Sequence, residues 1–271
     1  MLWEEILDKA KMIGTPVNNI FQEEMQKAVL TALSQRGCFV HIVFQGGTAL
    51  KLFYGNPRFS EDIDLVFKKG VKKYELSGHI SSIERFCFHS FPFLNSVKIS
   101  KQKKEKELQR FILQSTSDEP NQRLRLHVEL VSVPSYQNEP RILDFPPINP
   151  AVRVEDASEI LSDKICAVAL RPYLKGRDLW DIYFLTKERS VELQWELVEK
   201  KVKDYHQQVS KLDRKLRNAE KRINKDGRSI LENELKRFLP KNTIAQYRSS
   251  FKPILDAVVE LISERDEHSG V

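Results

Sequence analysis

The sequence predicts an α+β protein in two parts, a strand-rich first half and a helical second half. Three observations predict it. Runs of β-branched and aromatic residues, among them a strictly alternating segment at 123–130, fall before residue 135. Five prolines, Pro134, Pro140, Pro146, Pro147 and Pro150, then break any regular pattern. After them, apolar residues recur at helical spacing. The expected division is an α+β core over 1–145 and a helical domain over 146–271.

Residues 2–13 read as an amphipathic helix, with Leu2, Ile6, Leu7, Ala10 and Ile13 on helical spacing. Thr15-Pro16 offers a capping hydroxyl and a proline at a helix start. The helix that follows runs to about Arg36, where Gly37 stops it. Cys38 to Phe44 reads as a buried strand ending at Gly46-Gly47. Thr48 to Tyr54 is a short helix, broken by Gly55-Asn56-Pro57, and Ser60 to Phe67 is a second strand. A helix is expected over 72–89, then strands near 95–100, 108–115 and 122–132. In the last of these, Leu124, Leu126, Val128 and Leu130 face one way, and Arg125, His127 and Glu129 the other. The proline-rich 134–150 is expected to be a linker or an extended wrap. Helices follow at about 155–170, 177–188, 191–208, 210–224, 228–238 and 242–264.

Composition narrows the function classes. With 271 residues, 41% hydrophobic and 30% charged, the chain can bury a core and is not wholesale disordered. Three scattered cysteines without a C-x-x-C argue against a disulfide framework and a structural zinc site, so a reduced, cytoplasmic setting is expected. The start of the chain carries early acids and no signal-length apolar run, and no stretch approaches a membrane span. The formal charge of +6 is concentrated. Residues 211–228 hold eight Lys/Arg against three acids, a net of +5. A second basic run holds Lys98, Lys101, Lys103, Lys104, Lys106 and Arg110 against Glu105 and Glu107. Each run is either a solvated face or a polyanion site.

The chemistry-bearing stretch is Gln45-Gly46-Gly47-Thr48-Ala49-Leu50, followed by Phe59-Ser60-Glu61-Asp62-Ile63-Asp64-Leu65. A Gly-Gly turn at a strand-to-helix junction lets backbone N–H groups approach a phosphate. Asp62 and Asp64, two residues apart on a strand, face the same way and form an oxygen pair suited to Mg²⁺ beside a triphosphate. Two buried carboxylates would otherwise repel each other. Downstream, Arg177, Asp178 and Asp181 gather at one helix start, which alternatively is only a capped helix with an internal ion pair.

This order resembles the polymerase-β-like nucleotidyltransferase superfamily. The fuller segment GGTALKLFYGNPRFSEDIDL resembles the AbiEii/AbiGii toxin family, with its GGTAL opening and R-x-S-x-D-I-D-L closing segment. Ser162-Asp163-Lys164 and Arg177-Asp178-Leu179-Trp180-Asp181-Ile182 are similar to that family's lysine motif and R-D-x-x-D motif. The matches span about residues 40–190, and the last 80 or so residues carry no family signal.

The resemblance implies a polymerase-β-like catalytic domain with a helical domain appended. It implies Mg²⁺ held by Asp62 and Asp64, with Glu129 as a third carboxylate from a neighbouring strand. The bland reading of Glu129 is a solvated carboxylate paired with Arg125 or His127. It implies triphosphate binding by Gly46, Gly47, Thr48 and Lys164, with Arg177 and Asp178 at the nucleotide. Asp181 is the implied catalytic contributor of R-D-x-x-D, alongside Asp62, Asp64 and Lys164. Lys201, by contrast, is expected to be an ordinary surface lysine, and Asn56 and Arg58 are weakly marked loop residues. The implied activity is transfer of a nucleoside monophosphate from an NTP to RNA, tRNA especially, by a toxin with a cognate antitoxin. The alternatives are a non-catalytic nucleotide- or RNA-binding protein, and transfer to a small-molecule or protein hydroxyl.

Overall fold

The computed structural model describes residues 1–104, 107–119, 122–247 and 251–268. Glu105 and Lys106 of the second basic run lie outside these. The chain divides into two compact units. The first is Met1–Gly55 with Phe59–Glu155, and the second is Asn56–Arg58 with Asp156–Val271. The boundary thus falls ten residues beyond the expected 145/146, and a three-residue piece of the motif region belongs to the helical unit.

The first unit opens with α1 (Trp3–Ile13) and α2 (Val17–Gln35). Helix α2 is buried on nearly every side from Ile20 to Leu33. Its apolar turns carry the core, where Phe21 meets Trp3, Phe91 and Phe93 edge-on or tilted, at centroid distances of 5.5–5.8 Å. Its buried acids Glu23 and Glu24 are neutralised by Lys9 and Lys27. A 3₁₀ turn at Cys38–Val40 takes the start of the expected strand, so β1 is only Ile42–Gln45. Then come α3 (Gly46–Tyr54), β2 (Asp62–Lys68), α4 (Ile80–Ser90), β3 (Ser96–Lys104), β4 (Leu108–Thr116) and β5 (Leu124–Ser135).

The proline-rich segment is not a linker. It forms β6 (Asn138–Ile142) and leads directly into β7 (Ala151–Glu155); the two strands are antiparallel to each other, and β7 lies parallel to β1. Proline is tolerated because β6 is an edge strand, where missing N–H donors are harmless. The sheet has seven strands in the order β3-β4-β5-β2-β1-β7-β6. Strand β2 is central, antiparallel to β1 and parallel to β5. Helices α2 and α4 pack on the sheet and on each other. The inward residues Ile63, Leu65, Leu126, Val128 and Leu130 are buried, as the alternation requires.

The second unit contains α5 (Ala157–Leu170), α6 (Gly176–Tyr183), a π-helical turn (Phe184–Glu188), α7 (Trp195–Asp204), α8 (Leu212–Phe238), α9 (Lys241–Tyr247) and α10 (Phe251–His268). The two helices expected at 210–224 and 228–238 are one helix of 27 residues. Gly227 does not break it. A Cβ there would meet Leu255 at 3.0 Å, so the glycine marks the close approach of α10. Helix α8 buries Leu212, Leu216, Ala219, Ile223, Leu231 and Leu235 on one stripe. Arg222 donates to the carbonyl oxygens of Val168 and Arg171, closing the end of α5. Lys201 is fully buried, not a surface lysine. Its ammonium lies 2.5 Å from Glu159 and 3.0 Å from Asp163. Among the described residues no helix is long and apolar enough to cross a membrane.

Candidate active site

The candidate residues fall in two groups, one in each unit. In the first unit, pairing across the sheet fixes the geometry. Asp64 stands opposite Gln45 on β1 and Glu129 on β5, and Glu129 stands opposite Arg110 on β4. Asp62 stands opposite His127. These residues therefore share one face of the sheet, since cross-strand partners point the same way. Asp62 is about a third exposed, and its Oδ1 lies 3.1 Å from His127 Nδ1. Glu129 is in ion contact with Arg110 at 2.7 Å, without the alignment of a hydrogen bond. Its partner is thus Arg110, not Arg125 or His127.

Helix α3 begins directly after β1, at Gly46, with Gln45 extended before it. Gly46 has φ of +79°, a left-handed conformation that favours glycine. A Cβ there would lie 2.7 Å from Asp64 Oδ2. The carboxylate is therefore laid against the first residue of α3, where the helix end carries partial positive charge. Thr48 is fully buried, and its hydroxyl donates to the Asp62 carbonyl oxygen at 2.5 Å. It fastens α3 to the Asp-bearing strand.

This arrangement suits a hard divalent cation. Asp62 and Asp64 supply carboxylate oxygens from one strand face, and Mg²⁺ is commonly held by one or two carboxylates plus substrate phosphates. Among the described residues no group of three His, Cys, Asp or Glu is gathered for a metal. Glu129 would join the Asp pair only on leaving Arg110.

In the second unit the candidates form a buried charge cluster around Asp181, which is 0% exposed. Its Oδ1 accepts from Asn56 Nδ2 and Arg58 Nε, both at 2.9 Å. Its Oδ2 accepts from Arg58 at 2.8 Å and contacts Lys164 at 2.8 Å. Lys164 also donates to Asp178 at 3.0 Å, and Asp178 accepts from Arg171. Asn56 orders the loop, since its Oδ1 accepts from the Arg58 amide and the Trp180 indole. The five charged groups are three cations and two carboxylates, an excess of one positive charge.

The electrostatics follow. Burial presses the Asp181 carboxyl upward, but Arg58 and Lys164 outweigh it and hold it down at about 2. Asp178 is likewise pressed up by burial and held below its ordinary value by Lys164 and Arg171. Burial presses Lys164 down, and Asp181 and Asp178 more than reverse this, so its ammonium is held above the usual lysine value. Arg177 turns another way. Its backbone N–H donates to Glu234 and its guanidinium lies 4.8 Å over the Phe238 ring.

Sequence reasoning underrated Arg58 and Asn56, gave Arg110 only as a member of a basic run and Trp180 only as a motif spacer, and passed over Arg171. Arg58 had the clearest signal, its fixed place in the R-x-S-x-D-I-D-L segment.

A mixed sheet with an Asp-x-Asp strand beside a glycine turn, joined to helices carrying a lysine and R-D-x-x-D, defines a nucleotidyltransferase. The family profile "Nucleotidyl transferase AbiEii toxin, Type IV TA system" matches residues 28–263. The chain belongs to this AbiEii toxin family of type IV toxin–antitoxin systems. The crystal structure of JHP933 from Helicobacter pylori is similar at a TM-score of 0.59 and 21% identity, covering 94% of this chain and 97% of that one. A candidate nucleotidyltransferase from H. pylori is similar at a TM-score of 0.59 and 21% identity, over 92% and 96%. These two likenesses bear on the fold alone. No curated protein matches the chain by sequence.

Proposed function

We propose that the protein transfers a nucleoside monophosphate from an NTP to an RNA hydroxyl, forming a phosphodiester and releasing pyrophosphate, with tRNA as the acceptor class that the family resemblance implies. In this reading the transfer is the toxic activity, and a cognate antitoxin opposes it. The observation that carries the proposal is the Asp64 carboxylate laid against Gly46, on the same strand face as Asp62.

Asp62 and Asp64 would hold Mg²⁺, with Glu129 as a further ligand once released from Arg110. When bound, the metal supplies charge neutralisation at the α-phosphate and acidifies the attacking hydroxyl. A carboxylate of the same face takes the hydroxyl proton. The backbone N–H groups of Gly46 and Gly47 bind phosphate oxygens at the start of α3. Thr48 keeps that helix start against the strand through its bond to the Asp62 carbonyl. Lys164 binds the β- and γ-phosphates, whereas Arg177, turned to Glu234 and Phe238, and Asp178, engaged by Lys164 and Arg171, support the cluster and do not meet the nucleotide. Asp181 acts as a positioning residue, because its carboxylate is engaged by Asn56, Arg58 and Lys164.

RNA is favoured over a small acceptor by α8. Arg214, Arg217, Lys221, Lys225 and Arg228 are all exposed and recur at spacings of three and four along one helix face. Such a stripe offers phosphates a linear row of cations. Each radiolabelled NTP should be incubated with Mg²⁺, total RNA and the protein. Label should enter RNA with wild type and not with Asp64→Ala. Label entering only protein or a small molecule would overturn the RNA acceptor, and no label transfer at all would overturn catalysis.

A further inference from the structure

A second basic surface lies in the first unit, on the same sheet face as the Asp pair. Strand pairing puts Lys98 of β3 opposite Gln114 of β4, and Gln114 opposite Arg125 of β5. All three are exposed. The neighbouring row is Ser96 opposite Thr116, which share a hydroxyl–hydroxyl hydrogen bond at 2.7 Å. Arg123, also exposed, precedes β5. Together Ser96, Lys98, Gln114, Thr116, Arg123 and Arg125 line a groove of about 530 Å³.

The groove and the candidate metal site share one face of β5. Arg125 is followed on the same face by His127, opposite Asp62, and then by Glu129, opposite Asp64. At about 3.3 Å per residue, Arg125 stands roughly 7 Å along the strand from the His127–Asp62 pair. Strands are spaced about 4.8 Å apart, so Lys98 lies roughly 10 Å sideways from Arg125. The acids beside the groove are occupied. Glu84 accepts from the Ile99 amide and Asp118 from Asn95.

We infer that this ledge is the track for the acceptor strand: Lys98, Arg123 and Arg125 bind consecutive phosphates of single-stranded RNA whose terminal hydroxyl reaches Asp62 and Asp64. The inference rests on the nucleotidyl-transfer reading of the Asp pair and adds where the acceptor lies. Polar neighbours fit this class of ligand better than a protein surface does. Gln114, Ser96 and Thr116 offer hydrogen bonds to ribose and phosphate oxygens, whereas protein interfaces have an apolar centre. Lys98 and Arg125 lie in one row across Gln114, and Arg123 lies just before β5, a spread that suits a backbone and not a compact anion.

The test is the triple variant Lys98→Gln, Arg123→Gln, Arg125→Gln in the full chain. All three side chains are exposed, so the fold should survive, checked by circular dichroism. A short unstructured RNA of random sequence serves as probe and as acceptor. Relative to wild type, RNA affinity should fall at least tenfold. The log–log salt slope should flatten by about 0.7 for each phosphate that is no longer neutralised. NTP affinity and the kcat at saturating RNA should stay within about twofold, since the loss is in acceptor binding alone. Unchanged RNA affinity and slope, with wild type binding RNA, would overturn the ledge and leave the transfer reading standing. A wild-type protein that transfers nucleotide but binds no RNA would overturn both the ledge and the RNA acceptor. Equal competition by single-stranded DNA of the same sequence would overturn RNA as the strand that the ledge selects.

Discussion

Arg58 and Asp181, 123 residues apart in sequence, form a two-pronged ion pair at 2.8 and 2.9 Å that is almost wholly withdrawn from water. A segment of three residues, Asn56–Arg58, thereby belongs to the core of the helical unit.

Removing one side of this pair should be costly. Arg58→Ala leaves a buried carboxylate with fewer partners, an effect worth about 3–5 kcal/mol. Arg58→Lys keeps the charge but loses the fork and should still destabilise. Urea denaturation of both variants measures this. Wild-type stability in Arg58→Ala would show that the pair contributes nothing to the fold.

The pair also sets a pH dependence. The Asp181 carboxyl is held at about 2 against an ordinary value of 3.8, so folding binds its charged form more tightly. A depressed carboxyl contributes stability that is fully present above its unfolded value and is lost as pH falls through its folded value. The contribution is roughly 2 kcal/mol at neutral pH, retained to about pH 4 and lost toward pH 2. The double variant Arg58→Met, Asp181→Leu should lack this part of the acid limb in urea titrations. An acid limb as steep as wild type would place the titrating group elsewhere.

Asp62→Ala or Asp64→Ala should abolish nucleotide transfer and leave circular dichroism unchanged, because each side chain is partly exposed and serves charge stabilisation. Full transfer by folded Asp64→Ala would end the metal-site reading.

Lys164→Ala should weaken NTP binding by about 1.5–3 kcal/mol if its ammonium meets phosphate. The control is the exposed Lys200→Ala, not Lys201, whose ammonium is buried against Glu159 and Asp163. Isothermal titration with a non-hydrolysable NTP, read beside thermal melts, separates lost binding from lost fold. Equal affinities in the two variants would assign Lys164 to the buried cluster alone.

On α8, changing Arg214, Arg217, Lys221 and Lys225 to glutamine should weaken RNA binding and flatten its salt slope by about 0.7 per phosphate released. Lys215 is left out because it donates to Gln207 at 3.2 Å. RNA binding equal to wild type would make the stripe a solvated face.

Local pattern made part of this legible. The strict alternation at 123–130 gave β5 its faces, and the glycine pair marked the turn between β1 and α3. The order of motifs named the family. Pairing partners distant in sequence were not legible. Strand β6 carries Pro140, and both β6 and β7 are only five residues long and flank Pro146, Pro147 and Pro150; they exist because an edge position and β1 accept them. The gap expected between helices ending at 224 and starting at 228 takes in Gly227, yet the approach of α10 makes glycine the residue that fits there. Arg58 looked like a loop residue because its carboxylate is supplied from more than a hundred residues downstream. Lys201 looked solvated for the same reason, since nothing near it in sequence announces Glu159.

The placement of Asn56–Arg58 in the helical unit has a consequence for biosynthesis. At about 5–20 residues per second, Arg58 is added to the chain roughly 6–25 s before Asp181 is. Throughout that interval the guanidinium lacks its native carboxylate, and a piece of the helical unit is synthesised long before the rest of that unit. A fragment starting at residue 156 would never receive that piece. Expressed alone, it would carry Asp181 and Trp180 without Arg58 and Asn56, and supplying the short segment in trans as a peptide should recover part of its stability.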